Sequence, residues 1–582
     1  MSCFRRQGEV AEVAVIVVTY RSTKDLPLLI DSLYAEAEHT AMRVIVADNQ
    51  SDDGTLELAK AYSDVIAVDT GGNLGYAGGI NRAMAFADDT PAVLVLNPDT
   101  VVRPGCIRAL QHRLGGDVGA VVPVIRDIHG VLSHSLRNEP GLRRALADAM
   151  LGSRWQTRPE WLSEFVRDDR AYRVARPIDW ATGAALMVAR PVWDAVGQWD
   201  EQFFLYSEET DFFHRIRAAG FSVWFEPAAE VVHRAGGSGA SPHQIALLLV
   251  NCVRYFRKHR PLSAGLFHLL ILLREELRRS DRSHDLARLA LRRLRCSAEL
   301  PAATYAPVPT EQFPSASIII PAHNESAVID RTLSALEPLA AAGTAEVIVV
   351  PNGCTDDTAD RARAHPGVRV VELAEGSKAA ALNAGDIQAT RWPRLYLDAD
   401  IEAAPEVLAQ AVRALKGDGI HAARPAFRWD LDGASPVARA YYRARGRMPS
   451  MSGAMWGAGV YGLSKAGHHI LGAFPQVLGD DLLVERAFPP GRKYIASGPA
   501  VVVRMPLKLR DLIGVLARSR RGAAEQSLDT GRVSFHELLY SVTGPRSAVD
   551  AICFALVAAA ARLRAQRATR GWERDNSTRG ES

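Results

Sequence analysis

Arg394 to Pro405 reads RLYLDADIEAAP. An apolar run of strand character climbs to two aspartates, Asp398 and Asp400, and turns off into an acidic loop marked by Pro405. Like charges repel, so a buried strand that ends in two carboxylates needs something for them to hold. In sheets of parallel strands with helical crossovers, ligands sit beyond the carboxyl ends of the strands. The stretch therefore predicts an α/β sheet with a ligand at this edge. Two carboxylates one residue apart suit a hard divalent cation such as Mg2+ or Mn2+, and a diphosphate would complete its coordination.

Outward from this stretch, the chain repeats itself. VIVVTYRSTKDLPLLIDSLYA from Val15 is similar to SIIIPAHNESAVIDRTLSALE from Ser317, and VIVADNQSDDGT from Val44 to VIVVPNGCTDDT from Val347. GGINRA is echoed by AALNAG, and VLVLNPDTVVRPG by RLYLDADIEAAP itself. The offsets are nearly constant: 302 from Thr19 to Pro321, 303 from Asn49 to Asn352, 302 from Asn81 to Asn383 and 301 from Asp99 to Asp400. Four segments in one order at one offset predict two homologous domains, each of alternating strands and helices around a mostly parallel sheet.

The predicted divisions are residues 13–241 and 315–505 for the two domains. A helical connector spans 242–297, a Pro-rich linker 298–314, and a basic helical region with a polar tail 506–582. Between Asn251 and Cys296 the connector carries twelve Lys/Arg against four acids, a local +8. This is either a solvated helix face or an attachment to an anionic membrane surface. PLSAGLFHLLILL from Pro261 and AICFALVAAAA from Ala551 are 13 and 11 residues long. Both fall short of the roughly 20 apolar residues that a spanning helix needs.

The totals agree with a globular protein. The 582 residues are 48% hydrophobic and 23% charged, with a net charge of +3 that does not point to nucleic acid. Six isolated cysteines (Cys3, Cys106, Cys252, Cys296, Cys354, Cys553) form no metal-ligand spacing and fit a reducing cytoplasm. MSCFRRQGEV is not a convincing signal peptide.

The order PAHNE, NGCTDDT, KAAALNAG, LDAD, GDD resembles family 2 glycosyltransferases of the GT-A fold. The first domain resembles their rhamnosyltransferase and galactofuranosyltransferase-like branch, through VVTYRS, DNQSDDGT, NLGYAGGINRA, LNPDT, FFLYSEETDFFHRIRAAGF and HRAGGS. The resemblance implies two GT-A-like domains, a nucleotide-diphosphate sugar donor (dTDP- or UDP-sugar), inversion at the anomeric carbon and a divalent metal. It implies a glycan or lipid-linked acceptor in cell-envelope or extracellular polysaccharide synthesis, on the cytoplasmic side, with possible peripheral membrane association and no nucleic acid.

Carried over, it places the donor at Thr19, Tyr20, Asp48 and Asp53 of the first domain, and at Pro321, His323, Glu325 and Asp356 of the second. Asp53 and Asp356 also suit helix capping. The loop GGNLGYAGGINRA would bring Asn73, Gly75, Gly78 and Asn81 to the diphosphate, since glycines permit close approach and the following helix offers free N–H groups. Lys378 and Asn383 are their counterparts in the second domain. The metal would rest on Asp398 and Asp400 there. In the first domain it would rest on Asp99, with His233 compensating for Asn97.

A base must take the acceptor's hydroxyl proton. The first domain offers Glu209, with Glu208 and Asp211 beside it; the second offers Asp481, with Asp480. Surface acids opening a helix are the plainer reading, favoured by the helix dipole. Trp180 and Trp456, each before a Gly-Ala turn, line the acceptor side in relatives or simply pack the core.

Asp99 to Glu209 spans 110 residues and Asp400 to Asp481 only 81. The first domain's extra stretch includes LGSRWQTRPEWLSEFVRDDRAYRVARP (Leu151–Pro177), expected to shape the acceptor site. RSRRGAAEQ from Arg518 lacks the tryptophan of the Q-x-x-R-W that processive relatives keep. Two other readings remain: one domain acting only as a glycan-binding or positioning module, and a nucleotidyltransferase releasing pyrophosphate.

Overall fold

The computed structural model describes residues 3–5, 8–152, 155, 158–234, 241–278, 281–293, 300–477, 479–525, 537–539, 541–542 and 544–567. The glycine motif after Arg234, Arg279, Arg295, Cys296 and the polar tail lie outside them. The chain divides into two units, Met1–Ala306 and Pro307–Ser582.

In the first unit, β1 (Val13–Thr19), β2 (Met42–Asp48), β3 (Val65–Asp69), β4 (Ala92–Leu96), β5 (Thr100–Val102) and β6 (Val118–Arg126) are followed by a short ribbon of β7 (Leu136–Arg137). Then come β8 (Arg176–Pro177), β9 (Trp180–Ala181), β10 (Ala185–Ala189) and β11 (Ser222–His233). The main sheet runs β3-β2-β1-β4-β10-β6-β11-β5, with β8 on β11, while β7 and β9 pair separately. Strands β1 to β4 are parallel, and β10 enters antiparallel between β4 and β6.

The second unit holds β12 (Ala316–Ala322), β13 (Ala345–Pro351), β14 (Val368–Val370), β15 (Arg394–Leu397), β16 (Ala422–Asp430), β17 (Val460–Leu463) and β18 (Lys493–Arg504). Its order is β14-β13-β12-β15-β17-β16-β18. This is the order of the first seven strands of the other sheet, position for position. Both sheets place one antiparallel strand (β10, β17) beside the strand that ends in the acidic motif. Both also close on a long parallel pair with a register shift, β6–β11 and β16–β18. The constant offset in sequence is thus a duplicated topology.

The central strands are continuous apolar runs, buried at every position in β1, β4, β12 and β15, because helices cover both faces. The connector forms three helices, Pro242–His259, Ala264–Leu277 and Asp285–Arg293, that pack on one another within the first unit. Part of its charge is spent internally: Lys258 pairs with Asp200 and Asp211, Arg274 with Glu275, and Arg288 with Asp285. In the second unit, helices Leu509–Glu525 and Pro545–Arg567 pack together and against Pro436–Arg445. Among the described residues no helix is long and apolar enough to cross a membrane.

Candidate active sites at the strand ends

In the first unit, β4 runs directly into Asn97 and Asp99. His233, the last residue of β11, is the register partner of Thr100. This antiparallel edge brings His233 Nε2 to 3.1 Å from Asp99 Oδ1 and 3.5 Å from Asn97 Nδ2. The pairing expected across 134 residues of chain is therefore made by one strand edge. A carboxylate and an imidazole this close form a two-ligand site that a cation could take.

The acidic helix start lies across this edge. Helix Glu208–Ala218 follows Tyr206 and Ser207, both with φ of 69°, so the chain enters it through a strained left-handed turn. Glu208 and Glu209 are enclosed, and each has one buried carboxylate oxygen without a hydrogen bond among the described residues. Burial raises both above the ordinary glutamate value, and for Glu208 the charge of Glu209 adds to it. Gly183 sits beside Glu209, and its carbonyl accepts the Tyr76 hydroxyl at 3.0 Å.

Asp211 is placed otherwise. Its side chain is fully buried and held by Arg215 at 2.8 Å and by Lys258 and His259 of the connector at 2.7 Å each. The charges of Arg215 and Lys258 and the hydrogen bond with His259 hold it far below the usual carboxylate range, overcoming the burial that would raise it. As a candidate base it is corrected to an anchor between this helix and the connector.

Several expected donor contacts are likewise taken up by the protein itself. Asp48 Oδ1 accepts from Thr19 Oγ1 at 2.8 Å and from Ser51 Oγ at 2.6 Å, while Oδ2 accepts from the Ser51 N–H at 2.8 Å. Asp53 accepts from Thr23 and Thr55, and Asp356 repeats the pattern with Ser326 and Thr358. Each aspartate thus braces the turn before its helix by accepting from the backbone N–H of the first helical residue, Thr55 or Thr358. Asn81 ties its helix to the next loop, through Trp199 O at 2.8 Å, Trp199 N at 2.8 Å and Glu201 at 2.9 Å. Asn383 makes the same lock with Phe474 O and N at 2.9 and 2.8 Å. Tyr20 stays exposed, with Arg21 over its ring.

The glycines approach the protein's own chain. A Cβ on Gly75 (φ +74°) would lie 2.1 Å from the Phe204 carbonyl oxygen, and one on Gly78 2.6 Å from Leu74 Cβ. The first N–H groups of the following helix are also engaged. Gly75 N donates to Asn73 Oδ1 at 3.2 Å and Tyr76 N to Phe204 O at 2.9 Å. The linker lies on this loop too: Thr304 N donates to Asn73 O and Ala306 N to Gly71 O, both at 2.9 Å. Trp180 is buried and donates to Asn138 O at 3.0 Å, a packing role.

In the second unit, β15 ends at Leu397 and delivers Asp398 and Asp400 to the same edge. Lys378 changes what they can do. It opens helix Lys378–Gln388, and its Nζ lies 2.8 Å from Asp398 Oδ1 and 2.8 Å from Asp480 Oδ1. Against the desolvation that favours a neutral amine, these two carboxylates hold it protonated well above the ordinary lysine value. The cation at Asp398 is thus the protein's own ammonium. Asp398, expected with Asp400 to hold a metal, is here engaged by Lys378.

Asp480 also accepts from Tyr461 OH at 2.8 Å. Asp481 accepts the Gly457 N–H at 3.3 Å and is pushed up to about 6, by burial first and the charge of Asp480 second. His323 Nδ1 faces Asn352 O at 2.5 Å, Pro321 is buried within β12, and the Glu325 N–H donates to Thr358. Trp456 lies under Arg445 at 5.3 Å. Among the described residues no three His, Cys, Asp or Glu side chains gather as a complete metal cage.

Sequence reasoning missed Lys378 as a bridge, and it missed Asn251. The Nδ2 of Asn251 donates to Leu205 O at 2.9 Å and to Tyr206 O at 3.1 Å, holding the strained turn. An asparagine inside the apolar run IALLLVNCVRYF was the available signal.

Strand-end carboxylates facing an acidic helix start, twice over on one sheet topology, define a group-transfer enzyme of the nucleotide-sugar class. The family Glycosyl transferase family 2 matches residues 14–170 and again 317–453, together just over half of the chain. The chain belongs to the family 2 glycosyltransferases.

It is 35% identical over 244 residues to the N-acetylglucosaminyl-diphospho-decaprenol L-rhamnosyltransferase of Mycobacterium tuberculosis, covering 39% of this chain and 78% of that one. It is 27% identical over 240 residues to the low-salt glycan biosynthesis hexosyltransferase Agl10 of Haloferax volcanii, covering 40% and 70%. Among solved structures, a mannosyltransferase from Pyrobaculum calidifontis in complex with GDP-Man and Mn2+ aligns with a TM-score of 0.29 and 18% identity, over 56% of this chain and 88% of that one.

Proposed function

We propose that the chain is a pair of inverting glycosyltransferases in tandem, building a cell-envelope or extracellular glycan on a lipid-linked acceptor. The observation that carries this is the repeated placement: Asp99 and Asp400 at equivalent strand ends, and Glu209 and Asp481 at equivalent helix starts, on sheets of one strand order. The first unit, with its rhamnosyltransferase-like motifs and its similarity to an enzyme named for a diphospho-decaprenol acceptor, transfers a deoxyhexose such as rhamnose from a dTDP- or UDP-sugar.

Glu209 takes the acceptor's proton. Its enclosed carboxyl is raised toward the working pH, as a general base requires. Glu208, held neutral beside it, keeps the pair from carrying two charges. Asp99 and His233 would hold a divalent cation, which when bound neutralises the leaving diphosphate. In the second unit Asp481 is the base, and Asp400 is the carboxylate free of Lys378. The ammonium of Lys378 lies where it can meet a donor's diphosphate once it leaves Asp398.

Peripheral attachment to an anionic membrane face is the second part of the proposal. Leu262 and, along the connector helix that follows it, Leu266, Leu269, Leu273 and Leu277 are exposed, as are Val549, Ile552, Leu556 and Leu563 along Pro545–Arg567. Both lie near arginines.

A second reading is favoured by one observation. Lys378 occupies Asp398 and Asp480 together, which suits a second unit that only positions the glycan.

The test is nucleoside-diphosphate release from a panel of dTDP-, UDP- and GDP-sugars with Mn2+ or Mg2+ and a lipid extract, for the wild type, Asp99→Ala and Asp400→Ala. Loss of a different donor in each variant supports two catalytic units. Undiminished turnover in Asp400→Ala assigns the chemistry to the first unit, and release of pyrophosphate from nucleoside triphosphates would overturn the transferase reading.

A further inference from the structure

Beyond the strand-end site, the first unit holds a pocket of about 320 Å³ between the start of helix Leu142–Leu151 and the connector. Arg143, Arg144 and Arg260 line it, with Trp161 from the stretch that is longer in this unit. Arg144 donates from one terminal nitrogen to the Glu139 carbonyl and leaves its buried Nε without a hydrogen bond, and Arg143 makes no ion pair among the described residues. Glu139, at the floor, is already met by His214 Nδ1 at 3.1 Å and by Arg217. Arg260 stands 4.0 Å from it. The pocket therefore keeps a surplus of guanidinium donors, the groups that best match phosphate oxygens. Helix Leu142–Leu151 also opens on it with no side-chain cap at Gly141, so its positive end adds to the field.

Two further relationships say which anion fits. The first is neighbourhood: Arg137 of β7, two residues before Glu139, acts electrostatically on Glu209, which puts the pocket's chain on the side of the base.

The second is what lies on the outer side. From Arg143 the same helix face continues to Leu146 and Met150, both exposed, at i+3 and i+7. This helix packs on Ala264–Leu277, whose outward face carries Leu266, Leu269, Leu273 and Leu277, with Leu262 exposed in the turn before it, next to the pocket residue Ser263. Those five leucines are between 43% and 89% exposed, on a face that water would ordinarily fill with polar residues. A cationic pocket that opens onto an aliphatic strip matches a ligand with a diphosphate head and a hydrocarbon tail.

We infer that this pocket binds the diphosphate of an isoprenoid-diphosphate-linked sugar acceptor, with the Leu146/Met150 and Leu262–Leu277 surface seated in the membrane that carries its tail. The inference rests on the proposed lipid-linked acceptor and assigns it a subsite. Arg143, Arg144 and Arg260 are binding groups that set the acceptor sugar's hydroxyl against Glu209, and they take no part in the proton transfer.

The test is flotation of the full chain with phosphatidylcholine vesicles, plain or doped with undecaprenyl diphosphate, and with vesicles doped to equal charge with phosphatidylglycerol. No donor sugar is present, so the result is independent of whether the chain transfers anything, which nucleotide release measures separately. The wild type is expected to bind undecaprenyl diphosphate vesicles well above the other two, and inorganic pyrophosphate should compete. Arg143→Glu with Arg260→Glu should weaken that preference about thirtyfold. Leu266→Asn with Leu269→Asn should weaken binding to all three vesicles. All four residues are solvent-exposed, so the folds should survive, and the milder Arg143→Ala gives the same direction if the double variant does not. Equal binding to phosphatidylglycerol and undecaprenyl diphosphate, or an Arg143→Ala chain that keeps the full preference, overturns the inference.

Discussion

Asn251 of the connector donates to the main-chain carbonyl of Tyr206 at 3.1 Å, two residues before the acidic pair Glu208–Glu209. The same amide also holds Leu205 O, so one side chain from a later helix fixes the turn that aims the base. Backbone at φ of 69° in two successive non-glycine residues is retained only where its surroundings enforce it. Asn251→Leu keeps the shape and removes both hydrogen bonds. The expected outcome is a loss of about 1–3 kcal/mol in stability. Nucleotide release by the first unit should fall about tenfold or more, because the base is misplaced. Thermal melting and initial rates on the same preparation check this; an unchanged rate would remove the connector from the catalytic argument.

Asp211 and Glu209 lie two residues apart on one helix and separate two roles. Asp211→Asn leaves Lys258, His259 and Arg215 facing a neutral amide, and breaking such a buried pair costs about 3–5 kcal/mol. Glu209→Gln removes a carboxylate that burial already penalises, so folding should be unharmed or slightly improved while transfer by the first unit is lost. Melting temperature should drop for Asp211→Asn and hold for Glu209→Gln, with activity in the opposite pattern. A Glu209→Gln enzyme with wild-type turnover would hand the base role to Glu208.

The two variants also show where the sequence was readable. The duplicated sheets and the strand-end positions of Asp99 and Asp400 were legible, because apolar strand runs and polar turns leave a local, periodic mark. Partners distant in sequence were not. Asn81 reads like a ligand contact in GGINRA, but its amide is spent on Trp199, 118 residues away. Asn383 is spent likewise on Phe474, 91 residues away. Asp211 looked equivalent to its neighbours because nothing in YSEETDFF says which acid turns toward the connector. Lys378 reads from the sequence as a diphosphate contact; only the fold reveals that the helix it opens aims it between Asp398 and Asp480.

That bridge makes a prediction about metal. While Lys378 neutralises Asp398, a divalent ion in the donor-free protein must compete with a covalently attached cation. Lys378→Met frees two carboxylates, Asp398 at the strand end and Asp480 at the helix start. Mn2+ binding to the donor-free chain, followed by electron paramagnetic resonance, should tighten about tenfold or more, a charge effect of a few kcal/mol at most at such a half-open site. Transfer by the second unit should nonetheless fall, since the variant cannot offer an ammonium to the diphosphate. Weaker Mn2+ binding in Lys378→Met would mean that the lysine organises the metal site instead of occupying it.

The acid limb of the second unit's pH profile tests Asp481 directly. Its carboxyl is raised to about 6, so a base that must be ionised loses its working form as pH falls through that value. kcat/KM for the second donor should therefore decline about tenfold per pH unit below about 6, well above the range of an ordinary aspartate. The causes give the direction of each neighbour's effect. Asp480 raises the pKa by its negative charge, so Asp480→Asn should move the limb to lower pH. Lys378 lowers it, so Lys378→Met should move the limb to higher pH. Asp481→Asn should abolish the transfer at every pH. Opposite displacements by the two neighbours require a titrating group between them, and a limb that stays fixed in both variants would place the base elsewhere.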